Sequence, residues 1–182
     1  GGVTNRLQTA LNKALEGELA THELAQIKQQ HQQRVDELHQ SLNRFDHQGA
    51  HRSIAEQLDR LEQLLTGIQL VSDASLSTRC QVLAMGERLS STLFYYAAKT
   101  IEHRAIKLID SASLIKTISG VQACDYLEAS FDEDACHTLI APLKHTEQAT
   151  LYIAAGFIAS NEESETTLLG RNGSDLSAAI YA

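Results

Sequence analysis

The chain has 182 residues, with 15 Lys and Arg against 23 Asp and Glu, for a formal charge of −8. It is long enough for one full-sized core, and its 43% hydrophobic and 21% charged residues mark a globular chain, not a disordered one. The acidic balance argues against nucleic acid or an anionic membrane as the main partner, and no apolar run approaches the roughly 18 residues of a membrane span.

The chain opens with Gly1-Gly2-Val3-Thr4-Asn5, read either as a loop that starts a helix with Thr4 or Asn5 as cap, or as a frayed terminus. Leu24, Ile27, His31, Val35, Leu38, Leu42 and Phe45 then step by three or four residues, one apolar stripe on a long helix. Asp46-His47-Gln48-Gly49 breaks the pattern. A second stripe follows in Ile54, Leu58, Leu61, Leu65 and Ile68, with Ser53 and Glu56 spaced like a capping box. The two stripes predict an antiparallel helical hairpin over about residues 22–70. A third helix is expected from about Ser75 to Glu102.

From residue 104 the character changes. Arg104 to Asp110 reads as a short strand entering a loop, and Leu151 to Ala159 as one strand buried on both faces. Asn161 to Glu165 is a polar turn, Thr166 to Leu169 a return strand, and a Gly-containing loop leads into a final helix. The expected class is α/β, with residues 1–103 mainly helical and 104–182 built of strands and helices, together one partial domain. Only one Pro, no Trp and 5% aromatics speak against a small all-β sandwich. Cys80, Cys124 and Cys136 lack CxxC or zinc-ligand spacing, which predicts reduced thiols in a cytoplasmic protein.

The segment Leu169-Gly170-Arg171-Asn172-Gly173-Ser174-Asp175 carries the most chemistry. Its glycines permit close backbone approach or left-handed dihedrals, Ser174 or Asp175 can cap the helix that follows, and Arg171 adds a planar fork suited to carboxylate or phosphate. It reads either as an anion cradle or as an ordinary Gly-containing loop with an N-cap. Glu87 lies between apolar neighbours on the third helix, as an unusual carboxylate or as one paired to Arg88 or turned to solvent. The eight histidines form no HExxH, and no metal ligand set is expected. His31, on an apolar stripe, reads as a packed histidine.

Gly156-Phe157-Ile158, a polar turn, and then Thr167 to Asp175 before a small-residue helix resemble the aspartokinase signature. Gly1 to Asn5 resembles that family's loop after its second strand, and Met85-Gly86-Glu87-Arg88-Leu89-Ser90 its Gly-Glu helix motif. The three pieces stand in the family's order and span essentially the whole chain. Asn172 occupies a position where single-function aspartokinases usually carry Gly; this variant resembles the bifunctional aspartokinase–homoserine dehydrogenases.

The resemblance implies a partial amino-acid-kinase (carbamate-kinase-like) fold. It also implies phosphorylation of the β-carboxylate of L-aspartate with ATP and Mg, the first committed step toward lysine, threonine and methionine. NADP would matter only if a dehydrogenase part exists, and the parent would be a homo-oligomer. Thr4 and Glu87 would hold the substrate's polar ends, Glu87 meeting the ammonium. Arg171, with Ser174 close by, would hold the α-carboxylate. Asp175 would be catalytic, ordering the loop of Gly170, Asn172 and Gly173 and nearby catalytic groups. The sequence departs from the family in three ways: a Lys-Phe-Gly-Gly-Thr-Ser strand is not present before Gly1, the nucleotide-binding half is not present after Ala182, and Leu176 replaces a common Tyr. These departures, with a start that lacks Met and an end inside a helix, predict an inactive piece of a longer enzyme. Two other readings compete: a helical interaction module docking a partner on its hairpin, and a different amino-acid kinase acting on glutamate or carbamate.

Overall fold

In the computed structural model, which describes residues 2–144 and 150–182, the chain divides into two units, Gly1–His103 and Arg104–Ala182. Gly1 itself lies outside the described residues. The first unit is four helices: α1 (Val3–Leu15), α2 (Thr21–Ser41), α3 (His47–Val71) and α4 (Leu76–Ile101). Both hairpin stripes are buried within it. Ile27 and Val35 of α2 and Ile54, Leu58 and Leu61 of α3 close on Leu7 and Leu11 of α1 and on Val82 and Leu89 of α4. The hairpin's apolar faces are therefore consumed by their own core, where each fully buried aliphatic side chain contributes roughly 1.5–3 kcal/mol. Polar side chains tie the helices along the rim. Arg6 donates to Gln26 and Gln30 across α1 and α2, while Ser53 meets the Tyr96 hydroxyl and Gln57 donates to Thr92 across α3 and α4.

Two helix starts differ from the sequence expectation. Asp46, in the predicted break, is the cap of α3: its Oδ1 accepts from the Gly49 amide at 2.9 Å. The Ser53–Glu56 capping box does not form, because Ser53 lies in the second turn of α3 with its hydroxyl engaged by Tyr96. At the front, Gly2 is the N-cap of α1 in left-handed conformation (φ 92°), so Thr4 and Asn5 are helical residues, neither caps nor frayed loop. The helix starts early because Val3, Leu7, Ala10, Leu11 and Ala14 form a stripe that the core accepts. As expected, Ser75 caps α4, accepting from the Thr78 amide at 3.1 Å.

The second unit contains two two-stranded sheets. β1 (Ala105–Ile109) pairs in parallel with β2 (Thr150–Ala154), and β3 (Ile158–Ser160) pairs antiparallel with β4 (Thr166–Leu168). Helices α5 (Ala123–Leu127), α6 (Glu133–Lys144) and α7 (Gly173–Tyr181) complete it. Its core gathers Ile115, Cys136, Ile140, Ala159 and Leu169. Thr117 and Thr167, both fully buried, satisfy one another through their hydroxyls at 2.9 Å. The single strand expected over Leu151 to Ala159 is in fact two strands in different sheets, and β2 is only half-buried. Phe157, at φ 72°, turns the chain between them. Tertiary contacts described below override the continuous apolar pattern. Helix α6, absent from the sequence reading, begins where Asp132 accepts from the Ala135 amide, and it buries Cys136 and Ile140 four residues apart. The three cysteines are free thiols. Among the described residues, no helix is long and apolar enough to cross a membrane.

One charged contact lies close to the core of the first unit. Lys13 Nζ on α1 meets Glu23 Oε1 on α2 at 2.7 Å; Glu23 is 7% exposed, and its Oε2 is buried without a partner. The hydrogen bond from Lys13 holds the Glu23 carboxyl below the usual carboxylate range. A depressed carboxylate stabilises the fold above its unfolded value near 4.5 and loses that contribution as pH falls through its folded value. Lys13→Met should therefore lower Tm clearly at pH 7, and lower it less as acid neutralises the stranded carboxylate. Thermal denaturation at pH 7 and pH 4 checks both halves.

Candidate functional site

The loop between β4 and α7 is held from below. At Gly156 a Cβ would stand 2.9 Å from Ser174 Cα, inside any tolerable contact, so only glycine lets the first turn of α7 lie against the end of β2. Phe157 follows in left-handed conformation; its amide donates to Ser177 Oγ at 2.9 Å, and Ser177 Oγ donates to the Gly173 carbonyl at 2.7 Å. One hydroxyl thus satisfies the strained turn and the helix start together. The Leu169 amide closes the other side by donating to the Phe157 carbonyl at 3.0 Å.

The cap of α7 is neither Ser174 nor Asp175, as the sequence suggested, but Asn172, at φ 58° and ψ 19° with no side-chain cap bond. Left-handed backbone is open to glycine and costs asparagine least among other residues, which accounts for Asn at this position. Ser174 and Asp175 fall in the first turn, where amides have no intrahelical acceptor and the potential is positive. Arg171, Ser174 and Asp175 are exposed, and none of their side chains makes a hydrogen bond or ion pair among the described residues. The loop's order comes from Gly156, Phe157 and Ser177, not from the Asp175 side chain.

In the first unit Thr4 and Glu87 line one cavity of about 680 Å³ between α1, α2 and α4. The Gly-Glu motif sits where α4 passes under α1, with Val3 and Leu7 directly over Gly86. Glu87 is half-buried, makes neither hydrogen bond nor ion pair among the described residues, and is not paired with Arg88. Burial alone pushes its carboxyl pKa up. Sequence reading missed the α2 contribution to this cavity, from Gln30, His31 and Arg34. The available signal was His31, a polar residue inside an apolar stripe.

The expected residues thus fall into two groups: Thr4 with Glu87 in the first unit, and Gly170 to Asp175 in the second. Among the described residues, no group of three His, Cys, Asp or Glu side chains could hold a metal ion.

Helices with a parallel strand pair and a Gly-containing loop at the start of α7 give a mixed α/β chain, and solved structures identify it as part of an amino-acid-kinase fold. Aspartokinase III of E. coli, solved with lysine and aspartate, superposes on the whole chain with a TM-score of 0.79 at 24% identity, and 38% of that chain is covered. The same enzyme solved with aspartate and ADP gives 0.78. By sequence, the chain is 32% identical to chloroplastic aspartokinase 3 of Arabidopsis thaliana over 126 residues, 69% of this chain and 22% of the relative. It is 27% identical to the bifunctional aspartokinase/homoserine dehydrogenase of Buchnera aphidicola over 138 residues, 76% of this chain and 16% of the relative. No protein-family model matches. The chain is a homologue of the aspartokinases and of the bifunctional aspartokinase–homoserine dehydrogenases, and it spans about a sixth to a fifth of the length of these two relatives.

Two outcomes follow from the packing. Gly156→Ala should cost about 1–3 kcal/mol by forcing α7 off β2, visible as a lower midpoint in urea denaturation. Glu87→Gln should raise Tm at neutral pH. A carboxyl whose folded pKa is raised loses stability as pH climbs from its unfolded value near 4.5 through the folded one. The variant's stability should therefore be flat across that window while the parent's falls.

Proposed function

We propose that this chain is the substrate-binding half of an aspartate kinase, whose full-length form phosphorylates the β-carboxylate of L-aspartate. The observation that carries the reading is Glu87, desolvated and unpaired on a cavity wall that it shares with Thr4 in the first unit. The second unit separately offers Arg171, exposed at the start of α7. An α-amino acid brings an ammonium and a carboxylate, the groups that the family resemblance assigns to Glu87 and to Arg171. Glu87 takes the ammonium, which restores the charge partner that burial denies it. Thr4 adds a hydroxyl on the same cavity wall. Arg171 takes the α-carboxylate through its planar fork, with Ser174 and the free amides of the α7 turn nearby. Asp175 keeps a free carboxylate to order neighbouring catalytic groups. Gly170, Asn172 and Gly173 give the loop the backbone shape that presents Arg171.

In the family's reaction ATP with Mg is the phosphoryl donor. No described residue is assigned to metal or nucleotide here, and because the chain spans only 16–22% of the Buchnera and Arabidopsis relatives, the isolated chain should be inactive. Aspartate is favoured over glutamate because the relatives are aspartokinases and the solved neighbours were crystallised with aspartate. The bifunctional type, with NADP serving a dehydrogenase part, rests on Asn172 and on relatives of that type. A cytoplasmic, homo-oligomeric parent completes the reading.

Aspartyl phosphate trapped as its hydroxamate tests it. The full-length protein should form product with aspartate and ATP, the 182-residue chain should not, and glutamate should not substitute. Arg171→Ala in the full-length protein should lower kcat/KM about 30-fold or more, the ~2–5 kcal/mol of a lost charge pairing. Full activity without Arg171 would overturn its assignment, and no activity in the folded full-length protein would overturn the kinase reading.

A further inference from the structure

The cavity that holds Thr4 and Glu87 contains a second acceptor that the kinase reading leaves unused. His31 stands in the middle of α2, 4% exposed, with its ring on the cavity wall. Its Nδ1 lies 2.7 Å from the Ile27 carbonyl, one helical turn back. A carbonyl can only accept, so Nδ1 carries the proton, and a neutral ring must then present Nε2 as a bare lone pair. Burial lowers the imidazole pKa, which keeps the ring neutral at pH 7. Nε2 has no hydrogen-bond partner among the described residues. Among the described residues the fully buried side-chain N and O atoms without a partner are Glu23 Oε2, Gln57 Oε1 and Tyr181 OH, so Nε2 keeps some exposure on a residue that lines the cavity.

The other polar groups on that wall are committed or weaker. Arg34 is paired with Glu37, Gln30 accepts from Arg6, and Thr4 and Ser90 offer hydroxyls. The unpartnered acceptors on that wall are thus the Thr4 and Ser90 hydroxyls, the Glu87 carboxylate and His31 Nε2, and of the neutral ones only Nε2 has no proton of its own to donate.

We propose that His31 is a substrate-specificity residue, its Nε2 accepting a hydrogen bond from the same ammonium that Glu87 neutralises. An ammonium has three N–H donors, and one carboxylate leaves at least one of them to be satisfied. The orientation is set in advance, because the Ile27 carbonyl fixes the tautomer and the ring's packing fixes its plane. The inference rests on the aspartate-kinase reading and refines its ammonium subsite.

The test uses the full-length protein and measures kcat and KM for aspartate in the parent, His31→Leu and His31→Gln. His31→Leu should raise KM about tenfold with kcat within twofold of the parent. Gln, whose Oε1 can accept from the substrate, should recover most of the affinity. An unchanged KM in a folded His31→Leu protein overturns the proposal. So does a joint loss of kcat and KM that Gln fails to rescue, since that marks a packing role only. Should His31→Leu not fold, long-range 1H–15N correlation on the parent decides: added aspartate should move the His31 Nε2 resonance and leave Nδ1 in place, and an unmoved Nε2 overturns the proposal. A parent inactive on aspartate removes the kinase reading first, and this inference falls with it, an outcome separate from an active parent indifferent to residue 31.

Discussion

The second unit depends on an absence: residue 156 has no side chain. The first turn of α7 rests so close to the end of β2 that a single methyl would strike Ser174 backbone. From that contact the rest follows. The chain must turn sharply at Phe157, and the turn costs strain that Ser177 offsets by receiving the stranded amide. β3 then leaves in a new direction to pair with β4, and β4 delivers the Gly170–Asp175 loop to the top of α7. The exposed Arg171 is at the far end of a chain of contacts made at Gly156, Phe157 and Ser177.

The first unit shows the opposite economy. Its helices are tied by many aliphatic contacts and a rim of polar bonds, so it tolerates one unfavourable residue. Glu87 is that residue. An unpaired carboxylate at half burial serves no folding purpose, since a Gln of the same shape would avoid the desolvation. Glu23, another buried glutamate of this unit, makes the contrast plain: it has its lysine, and its pKa moves down where that of Glu87 moves up. A carboxylate with a protein partner holds helices together, and a carboxylate denied one is available for a ligand.

What could be read in the sequence follows the range of the forces involved. Helical periodicity is local, and the stripes through Ile27 and Val35 and through Ile54 and Leu61 located α2, α3 and their hairpin directly. Motif order did the same for the family. The misreadings share a cause, for each feature was decided by a residue distant in sequence. Ser53 looked like a cap until Tyr96 claimed its hydroxyl, and Leu151 to Ala159 looked like one strand until Ser174 and Ser177 bent it. Asp175 looked like the cap of α7 because side-chain chemistry favours it there, whereas the backbone dihedral at Asn172 settled the matter. Of the candidate site, the motif residues Thr4, Glu87 and Arg171 were legible, whereas the contribution of Gln30, His31 and Arg34 was not, because packing of α2 against α1 and α4 brings those residues to the cavity.

The parallel pairing of β1 with β2 has a kinetic consequence. Ala105 pairs with Thr150, which lies 45 positions further along the chain, and β3 finds β4 after a short turn, whereas the contacts within each helix of the first unit are local. Closing a long loop costs entropy before any pairing rewards it. The helical unit is therefore the faster to form, and the parallel pairing of β1 with β2 comes late. During refolding, the helical signal of the first unit returns ahead of that pairing.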